Sequence, residues 1–336
     1  MNSVATLWSR LFQMADEIRD LAPWKQYYEA ELFAIQPRSD GPVYFVSIMG
    51  NCGEHHAIAY YPGAESLHKF RLTQTMEDDY QQGMEMVLLN GHLQLAFEAK
   101  RDLDKAELEV LKALGKTYHG KWPVFRSYQS ARLPGMPNLG ELEDFLGLLE
   151  QTLVVLKRQE AGEDILRPFA QDEFFLRQKA GEWKDATCRV ADLLLPHHCL
   201  SVDLPDGALD GLRRVNAHFE MDMFLMPSPV ADVPPGEPPY FPFLLIAVDA
   251  GSGMVHGIEL ISTKEGVDEA LAKIPETITK ILRLAKVVPV KIAARHPILC
   301  SALEAYGNAY GIKFEAKEKL LAAEMAITHA MSFMGG

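Results

Sequence analysis

Hydrophobic and polar positions along this chain switch repeatedly between a period of two and a helical period, and the switches mark its elements. The opening residues space their apolar positions as an amphipathic helix over 4–21, ahead of Pro23-Trp24. Strand-like alternation follows at 30–36, 43–49 and 57–61, with Gly50-Asn51-Cys52-Gly53-Glu54 as the turn between the last two. Residues 65–89 read as mostly helical, and Asn90-Gly91 signals a turn into a strand at 92–97. Asp102 or Asp104 can cap a helix that runs to Leu114 and stops at Gly115. Trp122, Phe125 and Tyr128, followed by Pro134 and Pro137, predict an extended segment packed on the domain surface. Asn138 with Glu141 three residues on opens a long helix over 139–158. The charged break at 157–164 closes an α+β domain over 1–163.

Residues 164–240 read as connecting strands and a Pro-rich segment that lead into the C-terminal domain. Strands are expected at 174–179 and 186–193 around a turn at Gly181, with a further one at 200–202. A short helix is expected over 206–215, and 217–226 alternates like a strand. Six prolines between Pro227 and Pro239 mark a loop or spacer. Over 241–336 the pattern is clearest: strand 243–250, hairpin strand 254–262, helix 265–285 with a break at Pro275, strand 287–293, helix 297–310, strand 312–316, helix 317–331. Alternating strands and helices predict an α/β domain with a mixed, mostly parallel sheet.

The composition narrows the classes. A chain of 336 residues has room for two domains. Its longest apolar runs fall far short of the roughly 20 residues a membrane helix needs. The N-terminal residues lack the basic start and apolar centre of a signal peptide, so a cytoplasmic protein without membrane partners is expected. The net charge is −13; residues 241–336 hold ten basic and ten acidic residues, so the first 240 carry all of it. Such a surface disfavours nucleic acid as a partner and leaves a protein or a small molecule. Cys52, Cys188, Cys199 and Cys300 form no C-x-x-C pair, so neither a zinc ribbon nor a redox motif is indicated.

The chemistry centres on Asp249, a carboxylate ending the apolar run 243–250, because such a group must be paired, hydrogen-bonded or metal-bound. A strand ending in Asp, a hairpin strand and alternating helices and strands resemble the ribonuclease-H-like fold of integrases, transposases and several nucleases. That resemblance implies three acids holding two divalent metals: on the first strand, after the fourth strand and on the last helix. Asp249 fits the first position and Glu324 the third. At the second stand Arg295-His296, where a carboxylate is needed. The fold is therefore read as a degenerate ribonuclease-H-like unit, in which an active site would need an acid from elsewhere, such as Asp203 or Glu259. The bland reading of Asp249 is a turn-former for Gly251-Ser252-Gly253. Arg295-His296 lies past the end of a parallel strand, where it could hold a small anion or form an internal salt bridge; alternatively His296-Pro297 simply starts the next helix.

Other patterns carry less. Adjacent histidines point to opposite faces of a strand, so His55-His56 and His197-His198-Cys199 read as hairpin or surface residues rather than metal sites. Gly115-Lys116-Thr117 imitates a phosphate loop but has Val110 where its first glycine belongs, and it follows a helix. Trp122, Phe125 and Tyr128 could line a groove, but more simply cover a core edge.

Across most of its length the chain resembles uncharacterised bacterial proteins that join two domains of unknown function. The residues that carry this are Pro23-Trp24, Ser47-Ile48-Met49-Gly50, Tyr60-Tyr61-Pro62-Gly63, Lys121-Trp122-Pro123-Val124-Phe125-Arg126-Ser127 and the run 245–253. The resemblance implies a two-domain architecture and no activity. The resulting expectation is a non-catalytic binding or interaction protein that needs no cofactor. Two alternatives stand beside it: a divalent-metal nuclease or phosphoesterase built on Asp249 and Glu324, and a regulator that binds a small anion at Arg295 and His296.

Overall fold

The computed structural model describes residues 3–75, 80–165, 172–193, 204 and 207–334. The chain divides into two compact units, one of residues 1–130 and 134–196, the other of 131–133 and 197–336. Each has its own mixed sheet. Among the described residues no helix is long and apolar enough to cross a membrane.

The first unit runs α1 (Ser3–Leu21), β1 (Phe33–Gln36), β2 (Tyr44–Met49), β3 (Ala57–Pro62), α2 (Gly63–Thr75), α3 (Tyr80–Leu88), β4 (His92–Ala99), α4 (Lys105–Ala113), β5 (Lys121–Tyr128), α5 (Leu139–Glu160), β6 (Glu173–Ala180) and β7 (Glu182–Arg189). Its seven strands lie in the order β5-β4-β3-β2-β1-β6-β7, with only β1 and β6 parallel. Alternation sends Val46, Ile48, Ile58, Tyr60, Leu95, Phe97 and Phe125 into a core with Leu11 and Ile18 of α1 and Phe145 and Leu148 of α5. Leu67 and Phe70 of α2 pack with Phe45, Ala59 and Tyr61 in a second cluster. The expected capping boxes form at both helix starts, Asp104 with Glu107 and Asn138 with Glu141.

Two expectations are corrected here. The segment Lys121–Tyr128 is no surface strap but strand β5, with Trp122 and Phe125 buried in the main core. Residues 164–240 do not go whole to the C-terminal domain: β6 pairs in parallel with β1 and β7 completes the first sheet. The hairpin turn is at Gly181, which takes φ +81, as glycine can without strain.

The second unit runs β8 (Arg213–Leu225), β9 (Phe243–Asp249), β10 (Val255–Ile261), α6 (Val267–Ala272), α7 (Ile274–Ala285), β11 (Val287–Ala294), α8 (Pro297–Tyr310), β12 (Lys313–Ala316) and α9 (Leu321–Met334). The strand order is β10-β9-β8-β11-β12. β8, β9 and β10 are antiparallel, and β8, β11 and β12 run parallel. The helix expected over 206–215 is not there: 207–210 is a turn, and Arg213 opens the long central strand.

Neighbouring residues of β8 face opposite sides of this sheet. Phe224 joins Leu244, Ile246, Val248 and Ala293 under Leu320, which precedes α9, and Ala323 of that helix. The opposite face meets α7, whose Ile281 lies against Gly257 of β10; a Cβ there would approach to 3.1 Å. Behind α7, Tyr306 of α8 hydrogen-bonds Thr279 and donates to the Pro275 carbonyl at 2.6 Å.

Candidate functional site

The sheet brings charged side chains together beneath α9, and they are not the pair the sequence singles out. Asp222 sits in β8 between Met221 and Met223 and is completely buried. The Arg295 guanidinium, just past the end of β11, donates to both its oxygens, Nε to Oδ1 at 3.2 Å and Nη2 to Oδ2 at 2.6 Å. The third nitrogen, Nη1, donates to Glu324 Oε1 of α9 at 2.9 Å. One planar cation thus joins the first strand, the fourth strand and the last helix. The backbone N–H of Met223 adds a bond of 3.0 Å to Asp222 Oδ1. Burial pushes the Asp222 carboxyl above the ordinary carboxylate range, and the two Arg295 bonds work against that shift.

Two residues before Asp222, on the same face, Glu220 holds the start of α9. Its Oε2 accepts the N–H groups of Ala322 at 2.7 Å and Ala323 at 3.1 Å. These are donors that a helix leaves without internal partners, and an anion there also meets the positive end of the helix dipole. Asp222 and Glu220 were legible as candidates. The argument made for Asp249 applies with more force to carboxylates alternating with Phe219, Met221 and Met223. They are hidden when the strand at 217–226 is counted among the connecting strands rather than as the first strand of this sheet.

Asp249 lies elsewhere. The register sets it opposite Phe219, on the α7 face, whereas Glu324 lies on the α9 face. The two carboxylates are therefore separated by the sheet and cannot share a metal ion. Asp249 Oδ1 instead accepts the N–H of Gly251 at 3.1 Å, the N–H of Ser252 at 2.7 Å and the Ser252 hydroxyl at 2.8 Å. These bonds, led by the Ser252 hydroxyl, hold the carboxyl below its ordinary value. Its contribution is thus complete above the ordinary carboxylate range and fades as pH drops below about 4. Asp249→Ala is expected to cost roughly 0.5–1 kcal/mol and Asp249→Asn, which keeps the acceptor, almost nothing, read as melting temperatures.

The remaining candidates are also placed. Glu259 faces α7, where Lys280 pairs with it at 2.6 Å. His296 forms the N-cap position of α8, with Pro297 at its start. His56 stacks on Trp24 at 4.5 Å, while His55 Nδ1 lies 3.5 Å from Glu98. Among the described residues no three His, Cys, Asp or Glu side chains are grouped as a metal site. Lys116 follows the end of α4, its N–H donating back to the Leu111 carbonyl at 2.9 Å, so the Gly-Lys-Thr run is a helix terminus. Asp203, His197-His198-Cys199 and the strand expected at 200–202 lie outside the described residues.

Two family models match the chain. One, described as a domain of unknown function (DUF7309), covers residues 8–177, and the other, also a domain of unknown function (DUF6930), covers 209–329. No curated protein matches.

Proposed function

From a chain that belongs to the DUF7309 family and carries a second domain of unknown function, we propose a cytoplasmic, non-catalytic binding protein whose C-terminal unit is a ribonuclease-H-like domain with an arginine in its metal site. The strand order supports the fold. Three antiparallel strands place the first at the centre of the sheet, and two parallel strands follow beside it. In that arrangement the first strand is β8, so the first-strand acid is Asp222 rather than Asp249.

The observation that carries the reading is Arg295 between Asp222 and Glu324. A two-metal phosphodiesterase needs carboxylates at all three places to hold cations that clamp the attacking and leaving oxygens. Here the middle place supplies a fixed positive charge. The guanidinium pairs with both outer acids and occupies the space between them. A divalent ion would have to displace it, and hard cations need several oxygen ligands.

The same geometry weakens the small-anion reading. An anion at Arg295 would have to displace Asp222 and Glu324 from the guanidinium. The partner class that remains is a protein or an uncharged small molecule. The test is incubation of the purified chain with labelled DNA and RNA in Mg²⁺ or Mn²⁺, alongside calorimetric titration of Mn²⁺. No cleavage and no binding are expected. Robust cleavage that disappears in Asp222→Asn would overturn the proposal.

A further inference from the structure

The helices of the C-terminal unit are held unequally. α7 buries Ile274, Pro275, Ile278, Ile281 and Leu282, and α8 buries Leu299, Leu303 and Tyr306. Among the described residues of α9, Ala323 alone is buried. Ala322, Ala326 and Ile327 are partly covered, and Leu320 packs on the sheet from the residue before the helix. Apolar stabilisation scales with the area removed from water, so a face made of alanines holds a helix far less firmly than one of isoleucine and leucine.

Charge supplies the rest of the attachment, and all of it lies in the first turn. Glu220 accepts the N–H groups of Ala322 and Ala323, and Arg295 donates to Glu324. The second of these is a weak tie, because the Arg295 and Glu324 side chains are 31% and 36% exposed and water screens the pair. The outer side of α9 shows Leu321, 67% exposed, and Met325, 75% exposed. Closure over the sheet therefore hides only a small part of the apolar surface this helix carries.

We propose that α9 is a lid, which parts from the sheet in one piece while the sheet, α7 and α8 stay folded. Opening breaks the two Glu220 bonds and the Arg295–Glu324 bond, and it bares Phe224, Ile246 and Val248. The Asp222–Arg295 bonds join β8 to the residue after β11 and survive it. β8 keeps its pairing with β9 and β11, so the frame of the site does not change. Elements with few buried apolar contacts are the ones that open below the cost of global unfolding. Glu220 pins the first turn, so the helix leaves whole rather than unwinding from its start. The lid closes this face whatever the unit binds.

The test is hydrogen exchange of the full chain, resolved amide by amide, in buffer and in dilute urea. The amides from Glu324 to His329 should exchange at one common rate, about a hundredfold faster than those of β8 and β11. That rate should stay flat up to about 1 M urea, since lifting a small helix face exposes little surface, whereas exchange in the strands should rise with urea. Glu324→Ala should raise the α9 rate severalfold and leave the strand rates as they are. A second measurement uses Ala323→Cys, a small change at a buried position. A thiol reagent should label Cys at 323 at a rate that is also flat in dilute urea, read by peptide mapping so that the native cysteines do not interfere. Amides of α9 as protected and as urea-dependent as those of β8, a protection that declines residue by residue toward Met334, or labelling at 323 that waits for global unfolding would each overturn the proposal.

Discussion

Arg295→Met is expected to destabilise the C-terminal unit by about 3 kcal/mol at neutral pH, measured by urea denaturation. Methionine keeps much of the arginine stem's packing, so the loss isolates the charge. It leaves Asp222, whose side chain is 1% exposed, without its two guanidinium bonds and with the Met223 N–H as a remaining donor. Breaking a buried pair from one side costs roughly 3–5 kcal/mol. The lower end applies because the Arg295 side chain is itself 31% exposed, so water can follow its removal. The pH dependence has a definite sign. The folded Asp222 carboxyl is already raised above its unfolded value by burial, and losing Arg295 raises it further. The variant should recover stability as pH falls through the raised value toward about 4, and lose it as pH rises. Asp222→Asn/Arg295→Met should recover most of the deficit at neutral pH and flatten its pH dependence. A double variant no more stable than Arg295→Met would show that the pair is not what holds this site.

That site was half legible in the sequence. Arg295 and Glu324 stand out because they depart from, and conform to, an expected acid pattern. Helix starts with a local signature are readable for a local reason. Asn138 and Glu141 close a capping box within four residues, and Pro297 opens α8 with a fixed φ. β8 is not readable in that way. Its first half, Arg213-Arg214-Val215-Asn216, has no alternation, because Arg214 turns to the end of α8 and donates to its Tyr310 and Gly311 carbonyls. The register against β11 then shifts after Val215, so the period of two is broken before Phe219. With its first half illegible, β8 shows only 217–226 as a strand, placed among the connecting strands before the domain; β9 takes its place as first strand, and Asp249 inherits a role that the strand order gives to Asp222. Long-range pairing caused the other misreading too. Nothing local announces that β6 runs parallel beside β1, since more than a hundred residues separate Phe33–Gln36 from Glu173–Ala180.

Glu220 offers a second test of how the last helix is held, with a graded set of outcomes. Glu220→Ala is expected to cost about 2–3 kcal/mol in urea denaturation. It removes a charged acceptor from two N–H groups, and that of Ala323, a fully buried residue, has no water to replace it. Glu220→Gln keeps an oxygen at the same reach and loses only the charge facing the helix dipole, so about 0.5–1 kcal/mol is expected. Glu220→Asp shortens the side chain by one methylene and should fall between them, since it keeps the charge but pulls it back from α9. Hydrogen exchange separates this anchor from the Arg295 pair. Loss of Glu220 frees the first turn of α9, so exchange should quicken at Ala322 and Ala323 first and spread toward Ile327. Loss of Arg295 strikes β8 and β11, where the buried charge sits, and should raise exchange in the sheet as much as in the helix. If Glu220→Ala leaves the α9 amides as protected as before, the helix is held by Leu320 and Ala323 packing on the sheet, and the carboxylate is a bystander.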